Sequence, residues 1–578
     1  MKKITRREFI RQGGVYAGAA AMTASGLSDM RLLAQGIERT RIYILNLDGM
    51  PAAYLGYKYQ GESLTPNLNA LMAKGTTFTN CCDVLPALTA TNHIAIISSA
   101  PTSKSGILGA GGFYAGMDEK GRPVLKLFEK KHCLVETIYE VIKRQSPQSK
   151  TAVLSGKNWM ADLFQGDPAN SAVDIKVNGK SYPDYISPPE SYILGGPYQA
   201  GEDVSRFRLQ VSAPGEKWAE GCIGGFLSPE DFPSDEWIIG AAFEVVKRED
   251  PVFMYVLLAG TDDCGHAYGN FADGDICTLA NYDAMRGQMR IADAAVGRFI
   301  QFLTETDRLN SSIIVVTADH GMTTMEEHLE IDFGGIKKMD VTKLLKTFNQ
   351  IGSLSVDIRA ILAKKGFPIR ASDGITPYNP SGVYDTTFSE GPNSYIYRVN
   401  KELRPRIKQA LLDWNEATPH KPIWKVLLPE EMRDEVNEYD GFPFRLLCEQ
   451  YHSNPDAEVV WPDIIVFTHR HYMNTVYSDS LRAGTAFVMR KMPIPPGFKV
   501  NLIPGAHGSY ADQKVPLVMV GGHVPAGGFV EGASISRKVS VLDILPTLCK
   551  LTGWQLPKDA EGSSLLLGRD FLRYDFIK

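Results

Sequence analysis

Aspartate and histidine recur along this 578-residue chain where apolar runs end: Asp48, then Asp262 with His266, then Asp319 with His320, and finally His507. Carboxylates and imidazoles gathered around one pocket make a dinuclear site for a borderline metal, Zn²⁺ with Mn²⁺ as the alternative. Asp262 and His266 are four apart, so one helical turn or a tight loop would aim both at one ion. Asp319 and His320 are adjacent. Successive strand residues face opposite ways, so both serve one metal only if the chain turns straight after the strand, which Gly321 permits. The candidate nucleophile is Thr89, in the stretch Pro86-Ala87-Leu88-Thr89-Ala90-Thr91-Asn92-His93, just before an apolar run that reads as a buried helix. A threonine hydroxyl is a poor nucleophile unless a base or a metal lowers its pKa. The free N–H groups and positive dipole end of a helix N-terminus favour an anion there. Each residue alone has a plainer explanation: Thr89 or Thr91 as a helix cap, Asp48-Gly49 as a turn, a histidine as a core residue. The joint pattern carries the reading.

The elements that must position these residues are strands. Residues 41–47, 150–155, 251–258, 312–317 and 515–520 are short apolar runs bounded by turn residues. Such runs fit a parallel sheet covered on both faces, hence an α/β fold, whose ligands gather at the carboxyl ends of the strands. Helices are expected over residues 66–72, 237–247, 281–304, 341–350, 401–416 and 541–552. Residues 165–235 are rich in Pro, Gly, Ser and Asp and read as an excursion from the core. Between 327 and 496 the pattern loosens into helices, short strands and Pro-rich turns, an inserted cap domain. The core is thus expected in two parts, 37–326 and 497–578.

The first 36 residues read as a leader. Arg6-Arg7 precede Phe9, a mild apolar stretch follows, and small residues stand near Ala24-Ser25. This is an export signal of the twin-arginine type, read by the Tat machinery, which implies a periplasmic or secreted protein. The apolar (44%) and charged (22%) fractions are those of a globular protein, and the net charge of −5 without a basic block gives no nucleic-acid-binding signal. No apolar run approaches the roughly 20 residues of a transmembrane segment. The eight cysteines include no C-x-x-C, so zinc-finger and thioredoxin-type motifs are absent. Nothing in the sequence sets the oligomeric state.

Five motifs in order, Leu47-Asp48-Gly49, Leu88-Thr89-x-x-Asn92-His93, Asp262-x-x-Gly265-His266, Asp319-His320-Gly321-Met322 and Gly505-x-His507-Gly508, resemble those of the type I phosphodiesterase/nucleotide pyrophosphatase family of the alkaline phosphatase superfamily. The resemblance implies an alkaline-phosphatase-like sandwich, a mostly parallel sheet between helices with an inserted cap. It implies one zinc held by Asp48, Asp319 and His320 and touching Thr89, and a second held by Asp262, His266 and His507. Asn92 would donate to a phosphoryl oxygen, with the Ala90 amide beside it. The implied activity is hydrolysis of a small-molecule phosphate ester, a phosphodiester or nucleotide pyrophosphate, through a phosphothreonine. Two departures stand out. Ala90 replaces the aromatic residue that helps sandwich a nucleobase in the family. Lys157 resembles a lysine that holds phosphate in monoesterase relatives, although Trp159 stands where they often place an arginine, and a solvated loop lysine is the alternative. The rival activities are a phosphomonoesterase or a phosphonate hydrolase of the same superfamily; a catalytically silent exported binding protein is the non-enzymatic one. The Cys/Ser-x-Pro-x-Arg sequence of sulfatases is absent.

Overall fold

The computed structural model describes residues 40–191, 230–277, 282–325, 330–332, 356–372, 377–433, 435–439, 443–448, 459–474, 499–501, 505–521 and 529–566. The leader and the helix expected at 341–350 lie outside them, as do parts of the excursion and of the cap.

The strands that matter, in chain order, are β1 (Arg41–Leu47), β2 (Thr76–Phe78), β3 (Thr151–Ser155), β4 (Ile175–Val177), β5 (Phe253–Leu258), β6 (Ser312–Thr317), β7 (Thr386–Glu390), β8 (Asn393–Tyr397), β9 (Ile423–Leu427), β10 (Ile464–Thr468), β11 (Leu517–Gly521) and β12 (Ala533–Ile535). Eight of them form the main sheet in the order β12-β2-β11-β6-β1-β5-β3-β4. All pairings are parallel except those of β11, which runs against both β6 and β2. β1 lies centrally, in register with β5 on one side and β6 on the other, and Ile42, Tyr43, Ile44 and Leu45 are fully buried. This is why the run lacks polar alternation: helices cover both faces, and each such side chain contributes roughly 1.5–3 kcal/mol by leaving water.

Five helices bear on the site: α1 (Thr89–Ser98), α2 (Asp235–Glu249), α3 (Gly260–Tyr268), α4 (Tyr282–Glu305) and α5 (Ile544–Thr552). Every residue of α1 is buried, as expected of its apolar sequence. Gly553 closes α5 in a left-handed conformation, the usual helix stop. The mixed, mostly parallel sheet with its helices is the α/β architecture anticipated above.

Residues after 356 build a second, antiparallel sheet, ordered β7-β8-β10-β9. Its alternation decides its two faces. Tyr395, Tyr397, Ile465 and Phe467 join the main core, whereas Ile396, Ile464 and Val466 pack with Ile407 and Leu411 of the helix Arg404–Ala417 in a separate cluster. Among the described residues no helix is long and apolar enough to cross a membrane. Cys81 and Cys82 are both buried.

Candidate active site

β1, β5 and β6 run parallel and adjacent, so their carboxyl ends deliver Asp48, the α3 helix and Asp319-His320 to one edge of the sheet. Gly49 makes the first turn: its φ is +68°, and a Cβ there would lie 2.9 Å from Asp262. Any side chain would separate the Asp48 turn from α3. β6 ends at Thr317, and the irregular backbone beyond it lets Asp319 and His320 face the same way. Asp262 and His266 lie one turn apart on α3. His507 arrives from the Gly505–Gly508 loop, its Nδ1 fixed on the Ala87 carbonyl at 2.9 Å.

These side chains converge. His320 Nε2 lies 3.2 Å from Asp319 Oδ2, 3.5 Å from Asp48 Oδ1 and 3.1 Å from Thr89 Oγ1. Asp262 Oδ1 lies 3.5 Å from both His266 Nε2 and His507 Nε2. The two groups adjoin, since the His320 and His507 rings stack with centroids 3.5 Å apart. The other nitrogens of His320 and His266 face the carbonyls of Gly321 (2.8 Å) and Gly505 (3.0 Å). Each Nδ1 therefore carries its proton and Nε2 keeps a lone pair for the pocket, the usual arrangement of ligating histidines.

A profile of the family described as type I phosphodiesterase / nucleotide pyrophosphatase matches residues 43–473, most of the chain. The chain belongs to that family. Its members are phosphoric ester hydrolases that use a metal site. Among solved structures, the murine ectonucleotide pyrophosphatase/phosphodiesterase 5 is similar at 15% identity and TM-score 0.50, over 89% of this chain and 96% of that one. An inactive threonine-to-alanine variant of the murine protein, solved in complex with AMP, is similar at 16% identity and TM-score 0.51, over 89% and 96%. The wild-type alkaline phosphatase PafA is similar at 14% identity and TM-score 0.56, over 92% and 99%. No curated protein matches in sequence. At such identities the structural likeness establishes the fold alone.

The charges of this phosphodiesterase-family site fit a divalent metal. Asp48 Oδ1, Asp262 Oδ1 and Asp319 Oδ2 are buried without a hydrogen bond among the described residues, a costly state unless a cation takes them. Ligand atoms of Asp262, His266 and His507 fall within 4.8 Å of one another, as do those of Asp48, Asp262 and His320 and those of Asp48, His93 and Asp319. Burial and the neighbouring Asp48 push the Asp319 carboxyl up to about 8. Burial and the stacked His320 hold His507 well below the ordinary histidine range, hence neutral and able to ligate.

Lys157 is not a solvated loop lysine. Only 4% exposed, its Nζ lies 2.8 Å from Asp48 Oδ2 and 2.7 Å from Asp262 Oδ2, bridging one carboxylate from each group. Burial, the largest single influence, would raise both carboxyls, but this ammonium together with the surrounding histidines outweighs it and leaves Asp48 lowered and Asp262 well lowered.

Two expectations need correcting. The Asn92 carboxamide does not face the pocket: its oxygen accepts from the Val84 N–H at 2.8 Å, and its nitrogen donates to the carbonyls of Val84 and Pro86. It braces the turn that presents Thr89. The Ala90 amide is also engaged, donating to the Ala110 carbonyl at 2.9 Å, and the Thr91 amide donates to Gly109. The 109–110 loop thus caps the helix where an anion was expected. Among the described residues the Thr89 N–H itself has no hydrogen-bond partner.

His93 and Glu390 were missed. His93 sits one turn after Thr89 on α1 and so shares its face, a spacing visible in the sequence. Glu390, at the end of β7, gave no signal; its Oε1 accepts from the Ala110 amide at 3.0 Å, while Oε2 is buried without a hydrogen-bond partner among the described residues. Burial pushes its carboxyl up to about 8 from an ordinary 4.5. The folded protein therefore holds a proton that the unfolded chain releases. The stability this proton confers is complete below about pH 4.5 and lost as the pH rises through about 8. Glu390→Gln is expected to raise the melting temperature by several degrees at pH 9 and hardly at all at pH 4.5. A difference that does not vary with pH would refute this account.

Proposed function

We propose that this protein is an exported, two-zinc hydrolase of phosphodiester or nucleotide pyrophosphate bonds that works through a phosphothreonine at Thr89. The observation that carries the reading is the convergence on Thr89 Oγ1: a histidine nitrogen at 3.1 Å, itself within 3.5 Å of two carboxylates that begin hundreds of residues apart. Asp48, Asp319 and His320 would hold one zinc beside Thr89, and Asp262, His266 and His507 the other. Zinc bound there would lower the pKa of an adjacent hydroxyl and offset charge on phosphoryl oxygens.

The chain's own residues do the rest. Asn92 and the turn it braces aim Thr89 at phosphorus. The Thr89 oxygen forms the new P–O bond as the bond to the leaving group breaks, and water later cleaves the phosphothreonine. The Thr89 amide, without a hydrogen-bond partner among the described residues, would donate to a phosphoryl oxygen. The Arg6-Arg7 leader supports export. The AMP complex of the murine variant is consistent with a nucleotide-like substrate, whereas Ala90 offers no ring for a base.

The phosphomonoesterase reading is favoured by one observation, the presence of Lys157 inside the site. Bis-p-nitrophenyl phosphate and p-nitrophenyl phosphate separate the two. The diester is expected to be hydrolysed at least about 10-fold faster in kcat/KM, a difference of ~1.4 kcal/mol in transition-state binding. The reverse preference would install the monoesterase. Chelation is expected to abolish both activities and lower the melting temperature, and zinc to restore them. Full activity in metal-free protein would end the zinc reading.

A further inference from the structure

His93 is fully buried on α1, and its two ring nitrogens have different surroundings. Nδ1 lies 2.6 Å from the hydroxyl of Tyr255, a residue of β5. Nε2 points at the site floor, 3.4 Å from Asp319 Oδ2 and 3.8 Å from Asp48 Oδ2. Among the described residues Nε2 makes no well-formed hydrogen bond, and neither does Asp319 Oδ2. The rings of Phe164 and Tyr255 stand edge-on to the imidazole, so the acceptors facing Nε2 are the two carboxylates. A buried N–H takes an acceptor where one is in reach.

We propose that His93 is a positioning residue of the metal site: Tyr255 donates to Nδ1, which fixes the tautomer, and the Nε2–H so placed clamps Asp319 Oδ2 in its ligating orientation. The other oxygen, Oδ1, already accepts from the Gly49 N–H at 3.3 Å. The carboxylate of the third strand end is thereby tied to α1 on one side and to the first strand's turn on the other. Thr89 and Asp319 are then set by one helix, since Thr89 and His93 lie four residues apart on it. Groups that orient a ligand from behind typically govern metal affinity by about 10–100-fold.

This rests on the metal-site reading above, and the test separates the two. Zinc affinity of the full chain is measured by competition with a chromogenic chelator, and zinc content by elemental analysis. His93→Ala is expected to weaken zinc binding about 10–100-fold while keeping the wild-type stoichiometry at saturation. His93→Gln, whose amide N–H reaches a similar point, is expected to stay within about 5-fold of wild type, and Tyr255→Phe to fall between. Loss of one zinc equivalent in both His93 variants would make the residue a ligand and overturn the proposal. So would unchanged affinity in His93→Ala accompanied by an equal drop in the melting temperature of metal-free and zinc-loaded protein, the mark of a packing role. If the wild-type chain binds no zinc, the functional reading fails first and this one with it.

Discussion

Replacing Thr89 with alanine is expected to lower turnover by at least about 10³-fold while leaving bound metal at the wild-type level. The two halves of this result have separate causes. In the proposed mechanism the hydroxyl, 3.1 Å from His320 Nε2, is the attacking group, so its removal would delete the nucleophile. The remaining donors are untouched, because Asp48, Asp319 and His320 are anchored on β1 and β6 rather than on α1. Thr89 is 2% exposed, and deleting a hydroxyl and a methyl in so closed a place should cost stability only modestly. Thr89→Ser, which keeps the hydroxyl, is expected to recover much of the rate. Turnover, metal content and melting temperature together decide the case. A wild-type rate in Thr89→Ala would remove the covalent step, whereas loss of both metal and rate would mean that the threonine mainly holds the site together.

Asp262→Ala is expected to be as severe and to differ in kind. Asp262 faces His266 and His507 through one oxygen and Lys157 through the other. Its loss should take away one of two zinc equivalents and at least about 10³-fold in rate, while leaving Thr89 and its neighbours in place. It should also destabilise the metal-free protein by a few kcal/mol, since among the described residues the buried Lys157 ammonium then keeps only Asp48 as an ion partner. Lys157→Met in the same background should recover part of that stability but none of the activity. Full zinc content and an ordinary rate in Asp262→Ala would dissolve the second ligand group.

Much of the site was legible before any fold was known. Aspartate and histidine are expensive to bury, so their repeated appearance at the ends of apolar runs identifies strand ends that face a shared polar task. The strands at 41–47, 312–317 and 251–258, and the helix at 281–304, appear within a residue or two of their expected bounds. The region that carries the second sheet stood out in the sequence only as one where the pattern loosens. Its sheet is antiparallel and divides its side chains between two cores, and such a division depends on what lies on either side rather than on any run of residues.

By itself the sequence determined the chemical inventory: which residues can ligate, which hydroxyl can attack, and that a parallel sheet would bring them to one edge. Tertiary structure alone decided direction. Asn92 and His93 are neighbours on one helix, yet one turns to the backbone behind Thr89 and the other to the carboxylates beside it. Lys157, on a loop that reads as solvated, lies buried between two aspartates. The physical reason is that residue type and period are properties of a segment, whereas the partner a polar group finds is set by the surfaces that burial forces against it.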